Sequence, residues 1–125
     1  MSYLLVFIGG GIGAALRHAV NRAALAMLGP AFPWGTLLVN VTGSLLMGVF
    51  AGLFLVRGGG SQELRLFVTT GILGGFTTFS AFSLDAAVLW QRGDHAALTL
   101  YVTGSVVASV GALFLGMSAA RTFIS

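Results

Sequence analysis

Four long apolar runs set what this chain can become: they cover about residues 3–28, 35–56, 66–90 and 96–120. A helix needs about 20 predominantly apolar residues to cross the hydrocarbon core of a bilayer, and each run reaches that length. The turns between them read GPAFPWG, RGGGSQELR and QRGDH. Pro30 and Pro33 end one helix and start the next. The glycines after Arg57 make a flexible polar link, and Asp94 is placed to cap the N-terminus of the fourth span. Trp34 and Trp90 fall at span ends, where indole rings prefer the membrane interface. Charged residues make up 7% of the chain, against about 25% in soluble domains, which excludes a soluble fold. MSYLLVFIGGGIGAALR has no basic residue ahead of its apolar run, so it reads as a first span and not as a cleaved leader. The expectation is an all-α integral membrane protein with residues 1–125 forming one four-helix domain.

The charges that remain are sparse and evenly divided. There are six arginines, no lysine and three acids, with no patch dense enough to grip nucleic acid. The absence of cysteine removes disulfides and thiolate metal sites. Arg57, Arg65 and Arg121 share one side of a four-span topology, and Arg17, Arg22 and Arg92 share the other. Membrane orientation follows the arginine and lysine bias near span ends, and here there is none. A mixture of both orientations is the expectation, and two oppositely inserted copies can pair as an antiparallel two-fold dimer. The alternative is chance balance, with orientation set by Arg17 and Arg22. Four helices are also few for enclosing a polar path, which favours an oligomer. Gly9 with Gly13, Gly48 with Gly52, and Gly71 with Gly75 form G-x-x-x-G pairs, which announce close helix contacts without naming the partners.

Polar side chains inside spans are costly and face a partner helix or water. Asn40 lies early in the second span, with Thr36 one turn before it on the same face. Its amide either bonds to a neighbouring helix or lines a site. In the fourth span Tyr101, Ser105 and Ser109 recur every four residues and align three hydroxyls on one face. The third span is interrupted by GGFTTFSAFSLD. Gly74 and Gly75 weaken the helix, while the hydroxyls of Thr77 and Thr78 compete for its backbone groups. A break there leaves carbonyls and N–H groups at mid-membrane, a known arrangement for ion sites. Phe76 is ordinary packing, whereas the electropositive edges of Phe79 and Phe82, beside Ser80 and other hydroxyls, suit an anion. Asp85 is placed to pair with an arginine near the interface. His18 and His95 read as interface residues, and no motif suggests an enzyme. The residues alone reach as far as a small-anion pore.

GTLLVNVTGSLLMG, GILGGFTTFSAFS and YVTGSVVAS together resemble the Fluc (CrcB) family of fluoride channels, as does GGGIGAALR in the first span. The resemblance implies a broken third helix and a dual-topology antiparallel homodimer with two fluoride pores in a bacterial cytoplasmic (inner) membrane. Phe79 and Phe82 would turn ring edges to the anion, and Asn40 would donate to it. Tyr101, Ser105 and Ser109 would form a polar track, with Thr36 and Ser80 counted in the same lining. Carbonyls of Gly74 and Thr77 from both subunits would hold a structural sodium ion on the two-fold axis, and Arg17 would stand at the pore entrance. Two positions depart from the family: Ala81 replaces a threonine, and Asp85 stands where glutamate is usual. The runner-up is a small dual-topology, proton-coupled multidrug exporter, whose chemistry needs a carboxylate that this first span lacks. A non-conducting structural subunit is a third reading, and it leaves the aligned polar sets without a purpose.

Overall fold

In a computed structural model of the chain, residues 1–57 and 61–124 are described, and the link of glycines 58–60 lies outside them. The described residues form α1 (Ser2–Leu28), α2 (Trp34–Arg57), a third span in several pieces, and α6 (His95–Ile124). The pieces of the third span are α3 (Gln62–Arg65), a π-helical run (Leu66–Leu73), α4 (Gly74–Phe76) and α5 (Phe79–Gln91). Among the described residues four helical stretches are long and apolar enough to cross a membrane, as the hydropathy pattern predicts. Gly29 at φ 80° and Gly93 at φ 76° end α1 and α5 in a backbone region that favours glycine. Asp94 Oδ1 accepts from the Ala97 amide at 3.2 Å and so caps α6.

The four spans associate as two parallel pairs, and glycine chooses the partners. In the first pair α1 lies along the π-helical run and α4. A methyl group on Gly9 would fall 2.8 Å from the Phe67 carbonyl oxygen, and one on Gly13 would fall 2.7 Å from the Phe76 nitrogen. Gly71 and Gly75 offer the matching surface to Gly9 and Gly10. The first and third G-x-x-x-G pairs are therefore two halves of one contact. The second pair is α2 with α6, where Gly48 meets the Leu113 carbonyl and Gly52 lies against Met117 and Ala120. Gly116 returns the contact on Leu45 and Val49. Sequence numbers rise together across both contacts, so the helices of each pair run in the same direction.

The interruption of the third span is where GGFTTFSAFSLD predicts it, and of the two causes expected there the threonines carry it. Gly74 and Gly75 remain helical, with Gly74 at φ −63° and ψ −38°. The chain leaves the helix at Thr77 (φ −83°, ψ 159°) and Thr78 (φ −154°, ψ 125°). Thr77 folds its hydroxyl and its amide back onto the Leu73 carbonyl, each at 3.0 Å. Thr78 Oγ1 then accepts from the Ala81 amide at 3.1 Å and starts α5 as an N-cap. The threonines make the break, and Gly75 serves the approach of α1. The wide-turned π run before it, in which the Gly74 amide reaches back to Thr69 O, has no counterpart in the sequence reading.

Candidate functional site

Beside the break of the third span, α2, α5 and α6 border a common space. The result is a cavity of about 330 Å³ lined by Asn40, Gly43, Ser44 and Met47 of α2 and by Ser105, Val106, Ser109, Val110 and Leu113 of α6. Thr77, Thr78, Phe79 and Phe82 complete the wall. The lining holds hydroxyls, one amide and two phenyl rings, with no charged side chain.

Two of its hydroxyls are unusual. Ser105 Oγ and Ser109 Oγ are buried and have no hydrogen-bond partner. Serine and threonine in helices ordinarily satisfy themselves on the carbonyl four residues back. Thr69, Thr77, Ser83, Thr99 and Thr122 all do so here, at 2.6–3.0 Å. A buried hydroxyl without a partner costs about 1–3 kcal/mol, so two of them facing one cavity call for an occupant.

Asn40 is more occupied than its expected role implies. Its Nδ2 donates to the Thr78 carbonyl at 3.0 Å, and its Oδ1 accepts from the Thr78 amide at 2.8 Å. The amide group thus pairs with one residue of the break as a neighbouring strand would, leaving a single N–H for any ligand. Phe82 lies in the wall with its ring centroid 5.1 Å from that of Tyr101 and 5.5 Å from that of Phe79. Phe79 itself is 77% exposed, so most of its ring points away from this chain. Phe76 packs, as expected, with its ring against Gly43 and its backbone against Gly13.

Tyr101 stands at the head of the cavity, fully buried, and its hydroxyl donates to Asp85 Oδ2 at 3.0 Å. Thr36 donates to the same oxygen at 2.6 Å. Asp85 is therefore held by two hydroxyls and not by the arginine that the sequence leads one to expect. Half-buried Asp85 lies two turns before Arg92, which instead reaches the connector carbonyls of Pro30 and Ala31 at 3.3 and 3.5 Å. Thr36, Asp85 and Arg92, with Asn21 and Trp34, line a second cavity of about 320 Å³ on the far side of Tyr101.

Four candidate residues lie outside both linings: Tyr101, Gly74, Arg17 and Ser80. Arg17 is carried by the tight α1 contact to the break itself, where Nε donates to the Gly75 carbonyl at 3.2 Å. Ser80 is exposed and lies 3.3 Å from Thr78 Oγ1. Ser44 lines the first cavity and was not singled out from the sequence, because a lone serine in a span carries little signal. Its place one turn after Asn40 was the available clue.

The backbone at the break fits a cation. In an unbroken helix the Gly74 carbonyl would accept from the Thr78 amide and the Thr77 carbonyl from the Ala81 amide. Those two donors are taken by Asn40 Oδ1 and Thr78 Oγ1. Both carbonyls are left as free acceptors of the kind a hard cation takes. On the surface of the chain, Thr70, Gly74, Phe79, Ser80 and Ser83 are all exposed within the third span, an unsuitable face for lipid.

Four helices long and apolar enough to cross a membrane define an integral, multi-pass membrane protein. The family described as CrcB-like protein, Camphor Resistance (CrcB), matches residues 4–117. A protein of Rhodopseudomonas palustris, named as the fluoride-specific ion channel FluC, is 56% identical over 121 residues, covering 97% of this chain and 98% of the relative. Proteins of the same name from Mesorhizobium japonicum and Novosphingobium aromaticivorans are 56% and 59% identical, over 95% and 93% of this chain and the same shares of theirs. The chain belongs to the CrcB-like family. Its relatives are named as ion channels and not as enzymes, and this chain is not an enzyme.

Proposed function

We propose that the chain is a passive, fluoride-selective channel. The observation that carries this reading is the pair of buried, unpartnered hydroxyls of Ser105 and Ser109 facing a cavity whose lining has no charge. Fluoride is small and holds its water tightly, so a path for it needs several donors to replace that water. A fixed cation in the path would hold the ion instead of passing it. Ser105, Ser109, the remaining N–H of Asn40 and the ring edge of Phe82 supply donors and a positive edge without such a cation. The names of the relatives identify the anion.

The working unit is an antiparallel homodimer. The third span exposes Thr70, Gly74, Ser80 and Ser83 at membrane depth, and the exposed ring of Phe79 points away from its own chain. A second copy covers both, and the balanced arginines favour opposite insertion. Each copy brings its own cavity, which makes two paths per dimer. Carbonyls of Gly74 and Thr77 from both copies would hold a sodium ion on the two-fold axis, where the cation supplies positive charge that ties four carbonyls together. The proton-coupled exporter needs a carboxylate free to trade protons, and Asp85 already accepts from Thr36 and Tyr101. Fluoride-loaded liposomes holding only this protein should release fluoride to an electrode. Dimeric protein that releases none would contradict the proposal.

A further inference from the structure

Two of the glycine contacts between α2 and α6 share one sequence offset. Gly48 lies on Leu113 and Gly52 on Met117. Continued upward by single turns, the same offset sets Ser44 level with Ser109, Asn40 with Ser105, and Thr36 with Tyr101. The highest of these rungs is visible as the shared bond to Asp85. The lower two face the first cavity from opposite walls. Below Ser44 the helices touch at Gly48, so the cavity ends there against Met47 and Leu113.

We propose that Ser44 is a further specificity-determining residue of the anion path, the α2 half of its innermost donor pair with Ser109. The inference rests on the channel reading above and deepens it. Ser44 is half-buried and, among the described residues, makes no hydrogen bond to the Asn40 carbonyl one turn back. Its hydroxyl is therefore available to the same occupant that Ser105 and Ser109 face. An anion at this level receives donors from two helices instead of one, and a donor from each side replaces more of its water. Contact of α2 and α6 at Gly48 then obliges the ion to leave the wedge sideways at this rung, past Ser44 and Ser109.

The chain has no cysteine, so Ser44→Cys carries a unique thiol. Ser44→Ala should slow fluoride efflux from liposomes about tenfold, the effect of losing one donor to a charged ligand, while Ser44→Thr keeps a rate close to the unaltered protein. A small water-soluble thiosulfonate should label Ser44→Cys, seen as a mass increase, and block its flux. Gel filtration checks that each variant remains assembled. An Ser44→Ala variant that conducts at the unaltered rate, or an assembled Ser44→Cys variant that takes no label, overturns the proposal. Absence of flux from the unaltered protein would contradict the channel reading instead, since labelling alone decides whether water reaches Ser44.

Discussion

Asn40 and Thr78 exchange two hydrogen bonds, 3.0 and 2.8 Å long, between a side-chain amide of α2 and the backbone of the third-span break. The same pairing that keeps the break open frees the Gly74 carbonyl and leaves Asn40 with one N–H. One residue thereby links the shape of the third span to the lining of the cavity.

Asn40→Asp keeps an acceptor for the Thr78 amide but removes the donor to the Thr78 carbonyl and adds negative charge beside the proposed path. Leaving that carbonyl unpaired should cost about 1–3 kcal/mol, seen as a lower unfolding temperature in detergent. Fluoride efflux should fall by more than about tenfold, since the charge also repels the anion.

Phe82→Ile replaces a ring that lies 5.1 Å from Tyr101 and lines the same cavity as Ser105. An aliphatic group of similar bulk fills the wall but has no electropositive edge. Flux should fall strongly while gel filtration still reports a dimer. An unaltered rate would remove the ring edge from the ion's path.

Gly13→Ala would drive a methyl group onto the Ile72 carbonyl and the Phe76 nitrogen, both backbone atoms that cannot step aside. Overpacking of this kind costs about 1–3 kcal/mol, which thermal unfolding in detergent should register. Gly111→Ala meets nothing within 4 Å in its own chain. Its unfolding temperature as a single chain should stay unchanged.

Much of this architecture can be read from the residues, and what escapes reading has physical causes. Hydropathy alone marks the four spans, because a bilayer leaves few alternatives for such runs. The break is visible in GGFTTFSAFSLD, yet Gly75 looks like part of its cause when it is a contact point for α1. Only the packed pair distinguishes these roles. Tyr101, Ser105 and Ser109 share a helix face by spacing, but Tyr101 is turned to Asp85 while the serines face the cavity. Thr36 and Asn40 also share a face and serve different cavities. Arg17 and Ser80 depended on resemblance; in the fold Arg17 donates to the Gly75 carbonyl and Ser80 lies beside Thr78. Ser44 becomes visible only when the offset between α2 and α6 is known.

Opposite insertion of two copies predicts that a reporter fused to the C-terminus is active on both sides of the membrane. Adding two or three lysines near Arg121 should bias it to one side. A one-sided signal from the unaltered chain would argue against the antiparallel dimer.

The most direct test of fluoride conduction uses liposomes loaded with potassium fluoride, this protein and no other. A passive channel should release fluoride when valinomycin provides a path for potassium, and should stop without it, with no proton gradient required. Release that demands a proton gradient, or no release from dimeric protein, would contradict the account.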